Sequence, residues 1–247
     1  MKSLPIKLKN CPIVETILEI RFSSKLPQDA VFGVIYQALQ KSYSTFTVKP
    51  QPILQLPSEV RNIDPNMKYQ PTYQLINENL SIGICAKSIV FSNKAPYKGW
   101  QCFKEFILSA VELIYDSSVI DKIERIGLRY INIIDSPLAD ATNLNISLCG
   151  ESQNKNDVSV LRLEKHLRDA ELIVFQLNNN VFVSINNAPA QKKSMIDIDS
   201  IKNINANTHE LIIDTFSDIL ETLHKNEKEH FFGLLRDDYL KQLTPEF

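Results

Sequence analysis

Three segments of this chain alternate apolar and charged residues with a period of two, and that pattern narrows the fold more than any other feature. In residues 13–22, Val14, Leu18, Ile20 and Phe22 share one face with Thr16, while Glu15, Ile17, Glu19 and Arg21 share the other. In residues 122–134, Ile126, Leu128, Tyr130 and Ile134 lie opposite Arg125 and Arg129. A third segment places Arg162, Glu164, His166 and Arg168 on alternate positions. Such alternation marks strands that press one face on a core and turn the other away, the habit of antiparallel sheets.

Helical periodicity separates these strands. Leu26-Pro27-Gln28-Asp29 reads as a helix start, with Pro and an acid in the first turn. Val31, Val34, Ile35, Ala38 and Leu39 then predict a helix to about Tyr43. Trp100, Phe103, Phe106, Ile107, Ala110, Val111 and Ile114 predict a second, ending near Asp116. Leu211, Ile212, Phe216, Ile219, Leu220 and Leu223 predict a third from about Asn207, closed by Pro245. Residues 45–48, 69–76, 80–91, 143–149, 158–167, 171–177, 181–186 and 195–201 read as further strands, with 158–167 and 171–177 either two strands or one bent strand. Pro50, Pro52 and Pro57 make the stretch around them an edge or an extended loop, since Pro donates nothing to a ladder. Asn77-Glu78-Asn79 and Asn178-Asn179-Asn180 read as turns.

The resulting order, β-α-β-β-β-α followed by β-β-β-β-β-α, predicts an α+β fold. We expect a predominantly antiparallel curved sheet with amphipathic helices packed on one face. We expect the 247 residues to form one structural unit, divisible into two related β-rich halves, 1–136 and 137–247. A doubly wound nucleotide-binding sheet is disfavoured, because strands and helices do not alternate one for one and no G-x-G-x-x-G occurs.

Charge and motifs restrict function. Twenty-seven basic and 29 acidic residues give a net charge of −2, which offers no field to draw in nucleic acid. No apolar run approaches the length of a membrane span, so we expect no membrane insertion and a cytoplasmic location. The four cysteines, Cys11, Cys85, Cys102 and Cys149, form no C-x-x-C pair and read as buried free thiols. G-x-S-x-G and H-E-x-x-H are both absent, and no cofactor is expected.

Several motifs together resemble a known family. They are Leu-Lys-Asn-Cys-Pro-Ile-Val-Glu-Thr-Ile-Leu-Glu-Ile-Arg-Phe at residues 8–22, Tyr97-Lys98-Gly99-Trp100, and Glu124-Arg125-Ile126-Gly127-Leu128-Arg129-Tyr130-Ile131-Asn132. Ile196-Asp197-Ile198-Asp199, and Leu223-His224 followed by Phe231-Phe232, complete the set. The chain resembles, over essentially its whole length, a sporadically distributed family of functionally uncharacterised bacterial and archaeal proteins. That resemblance implies an accessory role on mobile or defence islands and supplies no catalytic residues.

The candidate ligand-binding residues are Glu19, Arg21, Arg125, Arg129 and Arg162. If the sheet curls, their faces line a polar groove, and Arg forks suit phosphate or carboxylate groups. Such a groove would resemble the triphosphate-handling barrels, but their Glu-x-Glu-x-Lys is replaced here by Glu19-x-Arg21. The competing expectation is a solvated outer face with cross-strand ion pairs, each worth under about 1 kcal/mol. Asp197 and Asp199 share one strand face about 7 Å apart. They are weak metal candidates, because hard cations need more oxygen ligands, and otherwise belong to an exposed edge strand. His166, His209, His224 and His230 show no ligand spacing, and Trp100 reads as a core or staple residue. His230, Phe231, Phe232 and Leu235 are interface candidates on the last helix. The leading expectation is a non-catalytic binding or interaction protein with a protein partner or self-association. The alternative is an enzyme or sensor that binds a small phosphorylated ligand, such as a nucleotide or polyphosphate, through the Arg-lined face.

Overall fold

In the computed structural model, residues 4–152, 154–168, 171–184, 189–204 and 212–247 are described. The N-terminal part contributes β1 (Lys7–Leu8), β2 (Ile13–Ser23), α1 (Gln28–Leu39) and β3 (Thr47–Pro50). A 3-10 turn (Pro52–Gln55), α2 (Ser58–Ile63), β4 (Tyr73–Asn77), β5 (Leu80–Ile84) and β6 (Ser88–Lys94) follow. Then come α3 (Trp100–Asp116), β7 (Lys122–Ile134), α4 (Leu138–Ala141), β8 (Ser147–Leu148) and β9 (Glu151–Ser152). The chain continues with β10 (Ser159–His166), β11 (Glu171–Val183), β12 (Gln191–Asn203), α5 (Ile212–Leu234), α6 (Asp237–Gln242) and β13 (Pro245–Glu246).

Among the described residues, nine strands pair antiparallel in the order β10-β11-β12-β7-β2-β6-β5-β4-β3, an open sheet with β10 and β3 at its edges. The even-numbered residues of β2 and β7 face the helices, as the alternation predicts. Leu18, Ile20 and Phe22 join Ile126, Leu128 and Tyr130 under α1, α3 and the first half of α5. A second cluster gathers Ile134, Phe175, Leu177, Ile196 and Ile198 under α4, α6 and the end of α5. Each fully buried large side chain contributes roughly 1.5–3 kcal/mol. The α5 stripe Phe216, Leu220, Leu223 and Phe231 spans both clusters, and the sheet crosses residue 136 without a break.

Several local expectations need correction. Residues 80–91 form two strands, β5 and β6, around a turn in which the Cys85 N–H donates to the Ser88 carbonyl. Pro50 ends the edge strand β3, as expected, but the stretch after it folds into the 3-10 turn and α2 and not an extended loop. Asn178-Asn179-Asn180 is a bulge within β11 and not a turn. The Asn179 side chain accepts from the Leu138 N–H at 2.7 Å and donates to the Asp157 carbonyl at 2.6 Å. Those tertiary bonds use the amide that a turn would have kept for its own backbone. Of residues 143–149, Ser147–Leu148 alone form a strand. The last helix breaks after Leu234, with α6 following; its expected start near Asn207 lies outside the described residues, as do residues 185–186 of the expected strand 181–186. Of the four free cysteines, only Cys85 is buried; Cys11, Cys102 and Cys149 are exposed. Among the described residues, no helix is long and apolar enough to cross a membrane.

Candidate functional site: an ion cluster on the open face of the sheet

The odd-numbered residues of β2, β7 and β12 point away from the helices. They bring Glu19, Arg21, Arg125 and Arg129 into one cluster, joined there by Asp197 and Asp199, the two metal candidates. Arg21 and Arg125 stand directly opposite each other across β2 and β7. Like charges so placed repel, and Glu19 resolves the conflict. Its carboxylate accepts from Arg21 Nε at 2.8 Å and also from Arg125 Nη1. Arg125 Nη2 reaches across β7 to Asp199 Oδ2 at 3.1 Å. Beside this chain of bonds, Arg129 clasps Asp197 with two more, Nε to Oδ1 at 2.7 Å and Nη2 to Oδ2 at 2.5 Å. Arg129–Asp197 and Arg125–Glu19 are diagonal neighbours on paired strands, a distance that long side chains span, whereas Asp199 lies four residues along β12 from Asn203, the residue opposite Arg125.

Gly127 makes the crossing feasible. It lies between Arg125 and Arg129, opposite Glu19 on one side and Ile201 on the other. A Cβ there would meet Asp199 Oδ1 at 3.1 Å and the Arg125 guanidinium at 3.2 Å. The spacing Arg125-x-Gly127-x-Arg129 thus leaves room for Arg125 to lie along the strand between two carboxylates.

The cluster is well shielded. The Asp197 side chain is 1% exposed and those of Arg125, Glu19 and Asp199 are 16–20% exposed. Burial pushes the Asp199 carboxyl above the usual range, against the pull of Arg125 and Arg129. The Asp197 bond raises Arg129 further, so it stays charged. Three guanidiniums meet three carboxylates, and the group carries no net positive charge. The Arg21 guanidinium lies 3.9 Å from the Tyr69 ring, over its face.

β12 is an interior strand between β7 and β11, which corrects the expectation of an exposed edge for Asp197 and Asp199. Both are paired with arginines, and among the described residues no three His, Cys, Asp or Glu side chains gather around a metal position. Arg162 is not part of the cluster. It sits on the edge strand β10, exposed, and pairs with Glu164 two residues on. The helix candidates divide. Phe231 and Leu235 are 5% and 3% exposed and belong to the second core cluster, so neither presents a surface. Phe232 is half-buried against the same cluster. His230 is half-buried at the rim, edge-on to Phe175 and 3.4 Å from Lys165 Nζ.

Under the helices lies a second polar group, whose members are scattered along the sequence. Tyr130 Oη is 3.1 Å from His224 Nδ1 and 3.2 Å from Tyr97 Oη. Trp100 stacks on the His224 ring at 4.5 Å and donates from Nε1 to Glu221 at 3.1 Å. Burial lowers His224 to about 4 and raises Tyr97 beyond its ordinary range. Glu227, one turn further along α5, is 5% exposed, and burial pushes it up to about 8. A sequence signal for it exists: residues 216, 220, 223, 227 and 231 are the helical stripe, and Glu227 is its one charged member.

A scan against protein-family models finds no match for this chain, and a search of curated proteins finds none.

Proposed function

We propose that this chain is a non-catalytic binding protein, an accessory component of a mobile-element or defence system, and that it takes a partner protein on the open face of its sheet. The observation that carries this reading is the mutual pairing of the ion cluster. Arg125 is held by Glu19 and Asp199, and Arg129 by both oxygens of Asp197. A catalytic acid or base needs reach toward a substrate proton, and here each carboxylate is turned to a neighbouring arginine. Around the cluster, Ile17, Val90, Ile131, Ile133 and Met195 are half-buried on the same face. Apolar side chains set among arginines suit a protein surface. A phosphorylated ligand draws less support, because each guanidinium of the cluster already holds a carboxylate with which its phosphate would compete.

The test uses the tagged full chain expressed in its native host, as wild type and as Ile131→Glu. The expected result is a partner that co-purifies with the wild type and is lost with a variant whose circular dichroism is unchanged. In parallel, melting temperatures are measured against nucleotides and polyphosphate. A rise that Arg125→Ala with Arg129→Ala abolishes would overturn the reading.

A further inference from the structure

The two edges of the sheet are built differently. β3 is four residues long and ends on Pro50, so it offers little for another strand to pair with. β10 is eight residues long, contains no Pro, and has no described strand beyond it. Every second residue of such a strand directs its N–H and C=O outward without a ladder partner. Exposed apolar residues accompany this edge: Val160 is 73% and Leu163 53% exposed, and Val158 just before it is 65% exposed.

Charge on an edge strand ordinarily repels a second strand. The order of charges on β10, Ser-Val-Leu-Arg-Leu-Glu-Lys-His, does the opposite for a copy of itself. In an antiparallel pairing with its two-fold axis at Leu163, Leu163 faces Leu163 of the other copy. Arg162 then faces Glu164, and by symmetry Glu164 faces Arg162, so both pairs are attractive. The side chains of Val160, Arg162, Glu164 and His166 lie on the open face, and those of Leu161, Leu163 and Lys165 on the helix side, as the pairing with β11 requires. The internal Arg162–Glu164 pair shows that these two groups already reach each other's neighbourhood.

We infer that this protein forms a two-fold dimer by antiparallel pairing of β10 with β10 of a second copy, in register about Leu163, joining the two sheets into one. The dimer concerns the edge and is independent of what the open face binds.

The test is a charge swap read by sedimentation velocity or light scattering on the full chain. Wild type is a dimer. Arg162→Glu sets a carboxylate against Glu164 at both symmetric positions, and Glu164→Arg likewise sets a guanidinium against Arg162. Each substitution raises the dissociation constant about tenfold or more. Mixing the two variants restores the dimer, because the two acids on the strand of one chain then face the two arginines on the strand of the other. That recovery also shows that both variants are folded. A wild-type monomer at every accessible concentration overturns the inference. So does a dimer indifferent to both substitutions, or a mixture that stays monomeric.

Discussion

Glu227→Gln should remove a pH dependence that the buried carboxyl imposes on the whole fold. Glu227 lies on the inner stripe of α5 near Tyr97 and Tyr130, and burial raises it from 4.5 to about 8, with Lys228 pulling weakly the other way. In the unfolded chain the group ionises at its ordinary value. Between 4.5 and about 8 the unfolded state therefore loses the proton while the folded state keeps it, and stability falls as pH rises. At about 1.4 kcal/mol per unit the full penalty reaches roughly 5 kcal/mol. His224, one turn earlier, acts in the opposite sense. Burial lowers it from 6.5 to about 4, so its contribution is complete above 6.5 and is lost as pH falls toward 4. The two slopes offset each other between about 4.5 and 6.5. From 6.5 to about 8 only Glu227 acts, and the wild type loses roughly 2 kcal/mol. Urea unfolding in steps from about pH 5 to 9 measures this directly. Glu227→Gln should be flat from 6.5 to about 8 and should weaken below 6.5, where His224 is no longer opposed. A variant that keeps the wild-type loss above 6.5, or a wild type without one, would refute the assignment.

Arg129→Ala should destabilise the protein by about 3 kcal/mol, the low end for breaking a buried pair because Arg129 itself is 35% exposed. Adding Asp197→Asn should return part of that loss by removing the stranded charge, which a double-mutant cycle in urea would show. Phe231→Ala should cost about 3–5 kcal/mol as a core cavity, with sedimentation of the folded fraction unchanged. A surface role for Phe231 would give the reverse pattern.

Much of the architecture was legible in the chain. Alternation located β2 and β7 to within a residue or two, and helical stripes located α1 and α3. Both signals are local, since a side chain's face follows from the backbone's own period. Tertiary bonds defeated the Asn178–Asn180 turn, where Asn179 is used to tie β11 to α4 and to the loop before β10. They also decided the candidate site. Glu19, Arg21, Arg125 and Arg129 were each visible as charged residues on strand faces, but Arg125 and Asp199 are 74 residues apart in the chain.

By itself, then, the sequence determined the long strands β2 and β7 and the helices α1 and α3, with the apolar face of each, because those follow from periods of two and about 3.6 residues. Strand order was decided only in three dimensions. The order β12-β7-β2 brings two acids beside two arginines and makes one neutral cluster of what read as a charged groove. The same order leaves β10 at the edge with its charges facing outward. Pairing partners are chosen by packing across the whole sheet, and no local period encodes them.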